Sequence, residues 1–228
     1  MRSRHATIPA VLGMVAAAPF CCGAREFDVP SAEFTVTYSV AGTDFMAVGS
    51  KSQVKARKAD GSSAHIVRHH FTEQDQHVFD VQAEEERVIA ADLKLQAKIQ
   101  RNERELLGGD FDPATKCAKR FDRATKAGKQ VPAGEETLFG FKTYVFRVDD
   151  ADSRLTMWRA PTLACYPLKW VVESKGGRPS SSTVEATKVE LGPPDEALFT
   201  CPKGCREVAG KDFPDAVARG RTGAGLRY

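Results

Sequence analysis

The chain has 228 residues, 42% hydrophobic and 28% charged, the balance of an ordinary globular protein of one or two domains. Its 33 Lys and Arg exceed its 30 Asp and Glu by three, and an N-terminal leader carrying Arg2 and Arg4 accounts for two of those three. That near-neutrality argues against nucleic acid as a partner, because neutralising phosphates takes a clustered basic excess, and no stretch reaches the ~18 apolar residues of a membrane span.

Arg2, Arg4 and His5 precede an apolar run from Ile8 to Phe20, Pro19 breaks it, and Cys22-Gly23-Ala24 supplies small residues. This is the pattern of a signal peptide over 1–24, cleaved after Ala24, and it implies a periplasmic or secreted protein. A lipoprotein is the alternative, with Cys21 or Cys22 as the acylated residue. Cleavage after Ala24 leaves Cys117, Cys165, Cys201 and Cys205, an even number suited to an oxidising compartment.

Glu33 to Val40 alternates, with Phe34, Val36, Tyr38 and Val40 on one face, which predicts a half-buried strand. Lys51 to Lys58 repeats the pattern, with Lys51, Gln53, Lys55 and Arg57 expected toward water and Val54 and Ala56 inward. Asp60-Gly61 is a hairpin turn, since both residues tolerate positive φ. Ala64 to Phe71 is the partner strand, and Val78 to Gln82 a fourth. Glu84 to Leu107 fits one helix by composition, yet Leu93, Leu95, Ala97 and Ile99 alternate strictly with polar residues. Two short strands, near 87–91 and 94–100, are the favoured reading.

Asp112-Pro113 places a cap and a first-turn proline for a short surface helix running to Gln130 and containing Cys117. From Leu138 to Val148 both alternating faces are apolar, which predicts a central strand covered on both sides. Arg154 to Arg159, Lys169 to Ser174 and Ser182 to Leu191 are further strands, and Asp195 to Phe199 is one helical turn. The last twenty residues show no periodic apolar face, so 209–228 is expected to be a disordered tail after a β domain over 25–208. The whole is mainly β: nine or ten strands and one or two short helices, most simply a single curved antiparallel sheet forming a half-open barrel.

Trp158-Arg159-Ala160-Pro161, Tyr166-Pro167-Leu168 and Gly192-Pro193-Pro194-Asp195, followed by Leu198-Phe199 and Pro202, resemble a group of exported bacterial proteins of unknown function. In that group a Trp-x-x-Pro segment leads into a charged hairpin, and a Pro-Asp ending with Leu-Phe-x-x-Pro closes the domain. More distantly, they are similar to the lipoprotein-carrier fold of the bacterial envelope. That resemblance implies a half-open antiparallel barrel around a hydrophobic cavity, lidded by helices. The Cys201-x-x-x-Cys205 pair departs from the group's simpler ending, and no carrier residue maps onto this chain position by position.

Chemistry is sparsely signalled. Cys201 and Cys205 miss the redox Cys-x-x-Cys spacing and supply too few ligands for zinc. The four cysteines are read as structural disulfides, with Cys117–Cys165 and Cys201–Cys205 the favoured pairing of three. His65, His69, His70 and His77 are clustered in sequence but lack a carboxylate at ligand spacing, so no metal is expected. The acidic runs Asp149-Asp150-Asp152 and Glu84-Glu85-Glu86 fall at predicted turns, where solvated charge is the default. No nucleophile elbow and no phosphate-cradling loop is present, so neither catalytic residues nor a cofactor is assigned.

The aromatics can either fill a core or line a cavity. The reading adopted is a non-enzymatic envelope protein binding an apolar or amphipathic molecule, a lipid or a lipoprotein acyl chain, against Phe34, Val36, Tyr38, Phe146, Trp158 and Trp170. The competing classes are a structural or protein-interaction domain with a packed core, and a hydrolase whose site carries no familiar motif.

Overall fold

The computed structural model describes residues 33–43, 50–69, 74–80, 85–99, 130–176 and 180–223. The first meander contains β1 (Phe34–Gly42), β2 (Ser50–Arg57), β3 (Ser63–His69), β4 (Gln74–Asp80), β5 (Glu85–Ala90) and β6 (Leu95–Ile99). The second contains β7 (Val131–Leu138), β8 (Phe141–Asp149), β9 (Ser153–Ala160), β10 (Tyr166–Ser174) and β11 (Ser181–Leu191). A three-residue strand, β12 (Arg206–Val208), and one helix, α1 (Phe213–Gly223), follow.

All twelve strands lie in one curved, open sheet, ordered β12-β6-β5-β4-β3-β2-β1-β11-β10-β9-β8-β7. Each meander pairs its consecutive strands antiparallel, and β1 joins the two by pairing with β11 from Phe34↔Leu191 to Gly42↔Ser182. Only β12 runs parallel to its neighbour, β6. The expected fold class therefore stands, with twelve strands among the described residues in place of nine or ten. The leader and Cys21 and Cys22, the helix expected from Asp112, Cys117 and His70 lie outside the described residues.

Strict alternation identifies β1, and the two short strands expected near 87–91 and 94–100 are β5 and β6 over the described residues 85–99, with a 3-10 turn (Ala91–Leu93) between them. The β2–β3 turn closes through Lys58 N–H to Ser62 O at 2.8 Å, with Gly61 at φ +92°. Asp195 caps the 3-10 turn Glu196–Phe199, accepting from Ala197 N–H at 2.9 Å.

Three expectations are corrected. Leu138 to Val148 is not one central strand: Phe139 and Gly140 turn the chain at φ +53° and +78°, so the segment divides between β7 and β8. An apolar Phe gives no turn signal, which is why the break is hidden. β7 is an exposed sheet edge, made a poor template for further pairing by Pro132, the irregularity between Pro132 and Gly134, and the charges of Glu135 and Glu136.

The polar positions of β2 do not all face water. Gln53 and Arg57 are buried, because they share a face with Phe34 and Tyr38 across the β1–β2 pairing. Glu86, expected in a solvated turn, is likewise buried within β5.

The third correction is the tail. Residues Gly210–Asp212 form a 3-10 turn and Phe213–Gly223 form α1. Phe213, Ala216 and Val217 pack against Val88, Ala90, Leu95, Ala97 and Ile99. Burying Phe213 contributes on the order of 2 kcal/mol, enough to help hold a short helix that propensity alone would leave frayed.

Register assigns the two faces. Paired residues share a face, so Val88, Ala90, Leu95 and Ala97, under α1, lie on the same side as Phe34, Val36 and Tyr38. The opposite face carries Ala56, Ala64, Val78 and Ile89, covered by Leu198 and Phe199. A central belt on the α1 face is polar: Lys55, His65 and His77 occupy one row between Val36 and Val88.

Candidate functional site

Two cavities flank α1 on the side of the sheet it covers. The helix presents two stripes. Phe213, Val217 and Arg221, spaced by four, point into the sheet, while Asp212, Asp215, Ala216, Arg219 and Gly220 line a groove of about 950 Å3. The groove's floor is Leu93 and Lys94 of the β5–β6 turn, Leu95 at the start of β6, and Arg206 and Val208 on β12. Arg206 pairs with Leu95 and Val208 with Ala97, so both side chains share the face that α1 covers.

The groove is polarised along its length. A Cβ on Gly220 would lie 2.8 Å from Leu93 Cδ1, so the last turn of α1 sits at the Leu93 end. Lys94 and Arg206 are at that end too, joined by Arg206 N–H to Lys94 O at 2.8 Å. Lys94, Arg206 and Arg219 therefore gather there. Asp212, whose N–H donates to Ala209 O at 2.9 Å, opens the helix at the other end with Asp215.

The smaller cavity, about 170 Å3, lies between α1 and β4–β5. Asp75, His77 and Arg221 form its polar wall, and Val88, Phe213 and Val217 its apolar one. Arg221 is buried, donating to Asp75 at 2.8 Å and to Asp92 at 3.1 Å, and His69 contacts Asp75 at 3.2 Å. Burial alone would raise the Asp75 carboxyl, but its bonds to His69 and Arg221 outweigh that and hold it below the usual range. Burial pushes His65 well below the ordinary imidazole value, helped by Lys55 and His77, and pushes His77 down against the opposing pull of Asp75. His65 Nε2 meets Gln53 Oε1 at 3.1 Å, and His77 Nδ1 has no hydrogen-bond partner among the described residues.

No protein-family model and no curated protein matches the chain. Among solved structures it is similar to PNGF-II, with a TM-score of 0.49 and 12% identity over 83% of this chain and 34% of that one. The chain thus spans about a third of the length of PNGF-II. It is similar to an uncharacterized conserved protein from Thermus thermophilus, with a TM-score of 0.49 and 10% identity over 78% and 91% of the two chains. A LolA superfamily protein from Nitrosomonas europaea is similar over 78% and 94%, with a TM-score of 0.35 and 11% identity. No residue role is transferred at these levels, and the site rests on its own geometry.

Of the six residues expected to line a cavity, register places five on one face: Phe34, Val36, Tyr38, Phe146 and Trp170. Phe34, Val36 and Tyr38 are fully buried in an apolar cluster with Leu163, Leu168 and Val184. Tyr38 packs tilted against Trp170, ring centroids 5.4 Å apart, and donates to Pro167 O at 2.8 Å; burial, then Tyr166, raises its hydroxyl well above the usual value. Phe34 meets Tyr166 edge-on at 5.0 Å, and Lys55 Nζ stands 5.0 Å over the Trp170 ring.

Trp158 lies on the opposite face, paired with Lys169 and donating Nε1–H to Glu136. Neither cavity is lined by any of the six. Sequence reasoning misses the groove because it dismisses the tail, although Phe213, Val217 and Arg221 carry a helical spacing that points to it.

Cys201 and Cys205 form a disulfide, as expected, and Gly204 within its loop lines the groove. Cys165 is disulfide-bonded as well; the partner expected for it, Cys117, lies outside the described residues. Among the described residues no group of three metal-ligating side chains is assembled, and no helix is long and apolar enough to cross a membrane.

Proposed function

We propose that this protein is an exported, non-enzymatic binding protein that carries an amphipathic molecule, a lipid or an acyl chain, in the groove between α1 and β6–β12. The observation that carries the reading is the groove itself. Its volume of about 950 Å3 falls within the roughly 300–1,000 Å3 of small-molecule sites. Its lining mixes Leu93, Leu95, Val208 and Ala216 with five charged side chains, which suits an amphiphile better than a plain hydrocarbon. The Phe34–Tyr38–Trp170 cluster then serves as the packed support of the sheet.

Export rests on the leader over 1–24, and the Cys201–Cys205 bond fits an oxidising compartment. Burial of the ligand's chain would drive binding at roughly 25 cal/mol per Å2 of apolar area.

Native mass spectrometry of protein purified from its own host, followed by organic extraction, tests the reading. Co-purified amphiphile in the wild type, lost in Ala216→Trp, is the expected result. A protein that is empty and takes up no added fatty acid would leave the structural-domain reading in its place.

A further inference from the structure

We infer that the ligand carries an anionic headgroup, a carboxylate or a phosphate, held at the Leu93 end of the groove by Lys94, Arg206 and Arg219. The inference rests on the groove reading above and adds the chemistry of the ligand's polar end.

Three observations carry it. First, three cations converge on one end of the groove from separate elements: Lys94 from the β5–β6 turn, Arg206 from β12 and Arg219 from α1. Their separation along the chain, set against their shared place in the fold, is what distinguishes them from a run of surface charge. Second, no ion pair within 4.0 Å joins any of the three to a carboxylate among the described residues, whereas Arg221, two positions from Arg219, is fully engaged by Asp75 and Asp92. Third, the two groove carboxylates lie toward the start of α1, Asp212 in the 3-10 turn before it and Asp215 one turn ahead of Arg219, while Gly220 of the last turn meets Leu93. An amphiphile with a negative head therefore has one favoured orientation, head at Lys94, Arg206 and Arg219 and chain toward Val208 and Ala209. A cationic head would be repelled by the three cations at the Leu93 end and could seat only at Asp212 and Asp215, in the reverse orientation.

The fork of an arginine suits a carboxylate or phosphate better than a lysine does, so Arg206 and Arg219 are assigned the direct contacts and Lys94 the supporting charge. Both arginines reach the groove from backbone that is fixed. Arg206 is held by its N–H to Lys94 O, and Arg219 lies on the helix stripe opposite the buried Phe213 and Arg221 anchors.

The test is calorimetric titration of the full chain with four probes, the amphiphiles kept below their micelle concentrations: dodecyl phosphate, dodecyl maltoside, dodecyltrimethylammonium and inorganic phosphate. Dodecyl phosphate is expected to bind at least about tenfold more tightly than the maltoside, an advantage that weakens with salt and disappears in Arg206→Gln/Arg219→Gln. Arg219→Lys should retain part of it, which shows that charge and not loss of folding is being read.

Equal binding of dodecyl phosphate and dodecyl maltoside, or a double variant that keeps the preference, would overturn the headgroup assignment while leaving the groove reading intact. Inorganic phosphate binding as tightly as dodecyl phosphate would overturn it too, by showing an anion site with no part for a chain. Failure of every amphiphile to bind would instead remove the groove reading itself.

Discussion

Arg221 on the last turn of α1 donates to Asp75 in β4 at 2.8 Å, bridging 146 positions of sequence, and the same guanidinium reaches Asp92 at 3.1 Å. The helix that makes both cavities is thus tied to the sheet at two points, by the apolar Phe213 and by a buried cation between two carboxylates. Replacing Arg221 with Met removes the cation and leaves both carboxylates in place, partly exposed. Because that exposure lets water compensate, the cost should be about 2 kcal/mol, below that of breaking a fully buried pair. Hydrogen exchange checks the prediction: amides of 213–223 should lose protection while those of β1 and β11 keep theirs.

Acid should act on the polar belt. Unfolded His65 and His77 would titrate near the ordinary imidazole value of about 6.5, while in the folded state burial holds both lower. Below that value the unfolded chain takes up protons that the folded chain refuses. Stability is therefore full above about pH 6.5 and falls as the pH drops toward the folded-state values, by at most about 1.4 kcal/mol per pH unit for each ring.

The groups facing the pair sharpen this. After burial, Lys55 and His77 oppose protonation of His65, and Asp75 partly favours that of His77. The contribution of Asp75 itself is present above the usual carboxylate range and is lost only on stronger acidification. Thermal melts from pH 5 to 8 should show the slope, and His65→Gln should flatten it. A melting temperature independent of pH across that window would contradict the assignment.

How far the fold is legible in the chain depends on what signals each element. β1 is legible because Phe34, Val36 and Tyr38 alternate with Thr35 and Thr37, and burial follows that alternation. β2 alternates as clearly, but period alone cannot say which face is covered. Here both are, so Gln53 and Arg57 lie buried beside the aromatic cluster while Val54 and Ala56 point to the other face, where Ala56 packs with Phe199. The β7–β8 turn is easily missed because Phe139 adopts a positive φ that no local rule assigns to Phe, which leaves Gly140 as its one local signal within an apolar run. α1 is obscured by its Gly and Arg content: only the four-residue spacing of Phe213, Val217 and Arg221 signals it locally, and it is held by long-range contacts to β4–β6, which no local window contains. The groove, built from α1, is hidden with it.

Gly42 should prove the most demanding glycine in the sheet. It sits at φ +145°, a conformation nearly restricted to glycine, and a Cβ there would run into the backbone carbonyl of Ser181 on β11. Neither backbone can yield without disturbing the β1–β11 pairing that joins the two meanders. Gly42→Ala should cost about 3 kcal/mol or more in denaturant unfolding. Gly134→Ala, also at positive φ but with open space around it, should cost only the backbone strain, so the difference between the two isolates the clash.

The Cys201–Cys205 bond closes a loop of five residues directly before β12, and Cys201 lies against Leu95 O on β6. Its stabilisation in the chain-entropy picture is about 2 kcal/mol, modest because the loop is short. Its position matters more than its size. Three residues of β12 are a small strand to keep parallel pairing with β6, and the bond limits the freedom of the chain that delivers Arg206 and Val208 to the groove floor. Cys201→Ser/Cys205→Ser should lower the melting temperature by a few degrees and raise exchange selectively in 206–208. Amphiphile binding should weaken by more than the stability loss explains, because the groove floor loosens while the sheet persists. Unchanged binding in a destabilised double variant would show that the bond supports the fold alone and has no part in shaping the groove.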